Sequence, residues 1–228
     1  MTKRIALILL AALFAATAYA EPVEYPTNKD GSIITGVLTA DFNPSAGVTP
    51  IPSNLFFLGT TDLTLNPTVA DPGDFSDPLV ALSAEDGFST SEKWVTTFSG
   101  APYDIDPSSV VAGQSVRMFE VSTVFGTIVN VSGIVRELTP GLEYVTVMQG
   151  NTLAIIPTSP LKELTTYMAV LTNDINDTNG NDATPDQTYF LAKSADPWVD
   201  ENGNSTYPLI GNYGTNAQDV ESDRIQVA

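Results

Sequence analysis

Apolar residues along this chain come in short runs, rarely longer than six, each fenced by Gly, Pro, Asn or Asp. Runs of that length, rich in Val, Ile, Thr, Tyr and Phe, read as β-strands. The pattern predicts strands over Trp94–Phe98, Val116–Val121, Thr127–Val131, Tyr144–Met148, Leu153–Ile156, Tyr167–Leu171 and Thr188–Leu191. Turn residues separate them at Gly113-Gln114, Thr139-Pro140-Gly141 and Gln149-Gly150-Asn151. In Tyr144-Val145-Thr146-Val147-Met148 odd and even positions differ in polarity, as a strand with two unlike faces requires. About seven short strands within a hundred residues predict an all-β, immunoglobulin-like sandwich over residues 93–193.

Two echoes sharpen this. LTPGLEY (Leu138–Tyr144) and LKELTTY (Leu161–Tyr167) both place a tyrosine six residues after a leucine, at the start of a predicted strand. A tyrosine there can bury its ring and return its hydroxyl to nearby backbone, the tyrosine corner of β-sandwiches. Upstream, residues 41–92 hold Pro44, Pro50, Pro52, Pro67, Pro72 and Pro78. Proline fixes φ and removes a donor, so this stretch is expected as an extended strap of coil and turns. Ile51, Leu55, Phe56, Phe57 and Leu58 within it call for burial against the sandwich.

Residues 1–20 are of a different kind. MTKRIALILLAALFAATAYA opens with Lys3 and Arg4, continues through an apolar run, and ends in Ala18-Tyr19-Ala20. This is a secretory signal peptide pattern, with cleavage expected after Ala20. The run is short of the roughly 20 apolar residues of a membrane span. Residues 21–40 are then an N-terminal extension, and no transmembrane segment is expected after cleavage. Without cysteine there is no lipobox, so the expectation is export to the envelope or exterior rather than a conventional lipoprotein.

Composition removes several chemistries. The chain has 27 acidic and 9 basic residues, a net charge of −18, and 43% hydrophobic residues. Loss of Lys3 and Arg4 with the leader takes the charge to −20. Such a chain repels phosphate backbones, so nucleic-acid binding is not expected. There is no histidine and no cysteine. A Ser-His-Asp or Cys-His site therefore cannot be assembled from this chain, nor a Cys/His zinc site. No phosphate-binding glycine loop occurs. Asp104 and Asp106 form a close carboxylate pair, but such pairs arise by chance among so many acids and no glycosidase pattern accompanies them. Trp94 and Trp198 read as packing residues rather than sugar platforms.

One motif recurs: DTNGN at Asp177–Asn181 and DENGN at Asp200–Asn204. Asn-Gly favours turns with φ > 0, and a preceding Asp can hold the turn through its side chain. An EF-hand fails on spacing, because Gly180 at loop position six puts Ile175 at position one. A looser calcium site stays open at Asp174, Asp177, Asn179 and Asp182, with Asn181 beside them, since these offer hard oxygen ligands within nine residues. No other cofactor is expected. On the turn reading, Gly180 is expected to matter more to stability than the carboxylates.

Three segments carry a family resemblance. FNPSAGVTPIPSNLFFLGTTDLTLN (Phe42–Asn66), EDGFSTSEKWVTTFSGAPYDIDPSSV (Glu85–Val110) and LAIIPTSPLKELTTYMAVLTNDINDTNGN (Leu153–Asn181) together resemble the N-terminal domain of the bacterial virulence factor lipase family. The resemblance implies a domain that precedes an α/β-hydrolase, which would carry the G-x-S-x-G elbow and the catalytic histidine and act on lipid esters. Neither feature is present here: Ser99-Gly100 and Ser132-Gly133 lack the preceding glycine. Residues 194–228 then read as a linker and, in TNAQDVESDRIQVA, the lead into that downstream domain. The expected partner is thus the hydrolase of the same gene product. The alternative is a free-standing secreted Ig-like module for a surface polysaccharide or protein.

Overall fold

The computed structural model describes residues 27–60, 62–99, 104–125, 129–193, 197–200, 202, 204 and 206. The expected signal peptide and the lead beyond residue 206 lie outside them. The fold is a two-sheet β-sandwich, as the strand pattern predicts. Its strands are β1 (Leu38–Ala40), β2 (Trp94–Ser99), β3 (Val116–Phe125), β4 (Val129–Glu137), β5 (Tyr144–Gln149), β6 (Thr152–Pro157), β7 (Thr166–Leu171) and β8 (Ala183–Pro185). One sheet runs β5-β6-β2-β1-β8 and the other β4-β3-β7. All pairings are antiparallel except β1 with β8. The core lies between the sheets: Leu38, Phe98, Tyr144, Leu153 and Ile155 from the larger meet Val116 and Met118 of β3, with Tyr167, Ala169 and Leu171 of β7 packed alongside.

Six of the seven expected strands are present, with Thr127 and Ile128 of the third outside the described residues. The seventh, Thr188–Leu191, is corrected: it is part of a short helix, Gln187–Ala192. Its aromatic and β-branched content suggests a strand, but the local cap decides otherwise. Asp186 accepts a hydrogen bond from the Thr188 amide at 2.8 Å, which satisfies one of the helix's orphan donors. The burial then follows the helical period: Ala192 is fully buried and Phe190 exposed, while Tyr189 packs on Phe42 with ring centroids 5.3 Å apart. Strands β1 and β8 are three residues each, too short to show a period. β1 falls at the end of the stretch read as an extension and is bonded between β2 and β8.

Both tyrosine corners are present. Tyr144 is fully buried, donates its hydroxyl proton to the Val116 carbonyl at 3.0 Å and accepts from the Gly113 amide at 3.0 Å. It thereby ties the first residue of β5 to the entry of β3 in the opposite sheet. Burial pushes its phenol pKa upward. Gly113 is required here for two reasons: its φ is +83°, and a Cβ would sit 2.6 Å from Cγ of Pro140. Tyr167 accepts from the Lys162 amide at 3.0 Å, a more exposed version of the same closure.

The two sheets are also bridged by charge. Arg136 on β4 binds Glu143, at the start of β5, through both guanidinium ends at 2.8 and 2.9 Å, and Glu120 on β3 at 2.9 Å. Lys162 completes the group on Glu120 at 2.9 Å. The Arg136 guanidinium, aided by the Thr139 amide, holds the Glu143 carboxyl down at about 2. The proline-rich strap lies along the β2 side. Ile51 and Val95 exchange backbone hydrogen bonds at 2.9 and 2.7 Å, and Phe56 and Phe57 meet Phe88 edge-on. Leu55, Phe56, Phe57 and Leu58 are half-buried, whereas the Ile51 side chain is 53% exposed despite its paired backbone.

Removing each corner hydroxyl should rank the two corners. Tyr144→Phe removes one of the two donors to the buried Val116 carbonyl, which keeps the Gly113 amide at 2.8 Å, and should cost about 1 kcal/mol; Tyr167→Phe should cost less, because water can replace it. Urea melts of the two variants against the wild-type chain check this; equal losses would contradict it.

Candidate functional site: the Asp177 loop

The segment after β7 turns on the side chain of Asp177. One carboxylate oxygen accepts from the amides of Asn179 and Asn181, both at 2.8 Å. The other accepts from the Asn181 side-chain amide at 2.7 Å. The backbone closes the same ring: Gly180 N–H donates to the Asp177 carbonyl at 3.0 Å, and Asp177 N–H to the Asn181 carbonyl at 2.9 Å. Gly180 holds φ at +83°, the left-handed conformation expected of it. The spacing D-x-N-G-N is thus a self-contained turn. Its first residue collects amides two and four positions on, its glycine reverses the chain, and its last residue returns a side-chain donor.

The second copy is built the same way. Asp200 accepts from the amides of Asn202 and Asn204 at 2.8 and 2.9 Å and from the Asn204 side chain, and its own amide donates to the Asn204 carbonyl at 2.9 Å. Those donors hold the Asp200 carboxyl below its ordinary range. The copies differ in setting. Asp177 and Asn181 are each 1% exposed, while their counterparts Asp200 and Asn204 are half-buried and exposed.

Burial of the first copy comes from segments remote in sequence. Asn181 accepts from the Thr35 amide at 2.9 Å and from its hydroxyl at 3.2 Å, and Asn179 donates to the Thr35 hydroxyl at 2.8 Å. On the other side the Thr178 amide donates to the Asp104 carbonyl, and Asn176 is bonded to Asp106 and Ser109. Ile175, fully buried, anchors the loop in the core. Nothing local in the sequence flags Thr35, Asn28, Lys29 or Ser109 as partners, because they lie some 70 to 150 positions away.

The four candidate calcium ligands fall into separate sets of contacts. Asp177 is turned inward on its amide donors. Asp182 accepts from the Lys29 amide at 2.6 Å and from the Asn176 side chain at 2.9 Å, and its own amide donates to Asn28. Asp174 pairs with the Lys29 ammonium and with Thr172, and the Lys29 contact lowers its pKa. Asn179 faces Thr35. Among the described residues no group of three or more His, Cys, Asp or Glu side chains is placed to hold a metal ion. Two clefts among the described residues are modest. A depression of about 400 Å³ is bordered by Asp104, Ile105, Met148 and Asn151. An apolar notch of about 100 Å³ is bordered by Pro50, Pro52, Trp94, Ile155 and Leu171. Trp94 packs against the core, and the Trp198 indole donates to the Leu191 carbonyl at 2.8 Å.

The family described as bacterial virulence factor lipase N-terminal matches residues 27–207, nearly all of the chain beyond its leader-like start. The chain belongs to that family. No curated protein and no solved structure matches it.

The burial of Asp177 argues for a stability ranking opposite to the one expected from sequence. Asp177→Ala strands two amides and a side-chain donor in a dry site and should cost about 3 kcal/mol or more. A Cβ at Gly180 would meet nothing within 4 Å. Gly180→Ala should therefore cost only the backbone term, about 1 kcal/mol. Asp200→Ala, half-buried with its donors on exposed residues, should cost less, about 1 kcal/mol. Denaturant melts of the three variants check the order; an Asp177→Ala no worse than Asp200→Ala would contradict it.

Proposed function

We propose that this chain is the non-catalytic N-terminal domain of an exported bacterial lipase or esterase, and that it supports and positions a serine-hydrolase domain of the same gene product. The observation that carries the reading is the family match across the whole sandwich, from residue 27 to residue 207. The composition agrees. With no histidine in the chain, a serine in it has no imidazole to take its proton. Hydrolysis would be the work of the other domain, through a nucleophile elbow and its histidine. The leader-like residues 1–20 support export, with a mature start at Glu21. Among the described residues no helix is long and apolar enough to cross a membrane.

The fold suits a supporting role. Its polar loop chemistry is spent internally, on Thr35, Asp104 and Lys29, and the side chains that approach one another are packing groups. The test has two arms. The coding sequence downstream of Ala228 should continue into a G-x-S-x-G with a later Asp and His. The chain alone should leave a p-nitrophenyl ester series intact, while the hydrolase domain should need this chain, attached or co-expressed, to accumulate in soluble active form. Saturable esterase activity of the chain alone, lost on mutating one of its own serines, would overturn the reading. So would a hydrolase that folds and acts equally well without it.

A further inference from the structure

The acidity of the chain is unevenly placed. Residues 116–171, which build both hairpins and β7, contain four glutamates, three bases and no aspartate. The three bases are all paired within the fold: Arg117 with Glu137 at 2.6 Å, Arg136 with Glu120 and Glu143, and Lys162 with Glu120. Nearly the whole net charge of −18 therefore sits elsewhere. One border of this near-neutral region is β4, a nine-residue edge strand. Its Val131, Ile134 and Val135 are 47%, 62% and 58% exposed. Lysine and proline, which commonly guard such edges, are absent from it.

We propose that β4 pairs with β4 of a second copy of this chain, antiparallel about a two-fold axis at Gly133, joining two three-stranded sheets into one of six. The sequence VNVSGIVRE is self-complementary in this register. Val131 of one copy meets Val135 of the other, twice over, and Arg136 meets residue 130 rather than its own counterpart. No like charges stand opposite each other, which is the condition for a stable cross-strand pair. The charge segregation selects the same face, because two strongly acidic bodies approach at least cost where neither carries net charge. An isologous contact closes on itself and gives a dimer, not a fibre. The pairing of β3 with β4 is irregular at two points, leaving Ser132 and Val135 as extra residues on β4. These bulges increase the local twist, so the joint is short and the association weak, in the micromolar range. The inference is independent of the function proposed above.

The experiment is sedimentation velocity on the exported chain, from about 5 to 500 μM, in low and high sodium chloride. The expected result is a monomer–dimer equilibrium that tightens several-fold as salt rises, because screening removes the repulsion between the acidic loops. Val135→Lys should weaken it at least tenfold, while Val147→Lys, at an exposed site on the edge strand of the other sheet, should leave it unchanged. A second variant does not depend on disruption. The chain has no cysteine, so the doubly substituted Val131→Cys/Val135→Cys protein should oxidise to a covalent dimer. Those two positions are too far apart along one strand to bridge within a copy. A chain that stays monomeric throughout, a dimer unaffected by Val135→Lys, or a double variant that forms no covalent dimer would overturn the proposal. The first outcome would leave this face to another domain or partner and mark the bulges as its guard.

Discussion

A buried carboxylate with no cation beside it must be held by donors, and that requirement organises one end of this molecule. Asp177 is 1% exposed and meets two backbone amides and a side-chain amide within 2.8 Å. Charge-assisted hydrogen bonds of this length are the strong ones, and together they offset the loss of hydration. The ring they form presents Asn181 to Thr35, Thr178 to Asp104 and Asp182 to Asn28 and Lys29. Three segments of chain that are distant in sequence are thus joined through one five-residue turn. Without it the residues from Asn28 to Thr35 would have little to bind, and β1, which follows at once, would lose its lead-in between β2 and β8.

The entry of β3 is closed by different means. Tyr144 crosses the core and fixes the entry of β3, and Arg136 spans the two sheets to Glu143 while sharing Glu120 with Lys162. The strap lies along β2, tied there by the backbone pairing of Ile51 with Val95, while Leu65 with Glu85 and Phe56 with Phe88 fasten it to itself.

What could be read in the sequence was what depends on near neighbours. The central strands announce themselves by period and by fencing turn residues, and the tyrosine corners by a tyrosine six positions after a leucine. Gly180 was identifiable as the left-handed residue because Asn-Gly after an aspartate leaves few other conformations. The family resemblance rested on three quoted segments, and the family match covers all of them. Thr188–Leu191 misled because its composition favours a strand while Asp186, one residue before the helix, caps it. The burial of Asp177 is not legible for another reason. The two D-x-N-G-N copies are alike as text and alike in hydrogen bonding, and only their surroundings differ. Burial is a long-range property, set here by Thr35 and Asp104, and no window around the motif contains it.

The claim that this turn is a buried fastening, and its twin a surface turn, can be read amide by amide. Native-state hydrogen exchange reports the free energy of opening at each N–H. The account predicts that the Asn179 and Asn181 amides, bonded to the Asp177 carboxylate, exchange only on global unfolding, and that Asn202 and Asn204 exchange orders of magnitude faster. Fast exchange at Asn179 and Asn181, at the rate of Asn202 and Asn204, would contradict it.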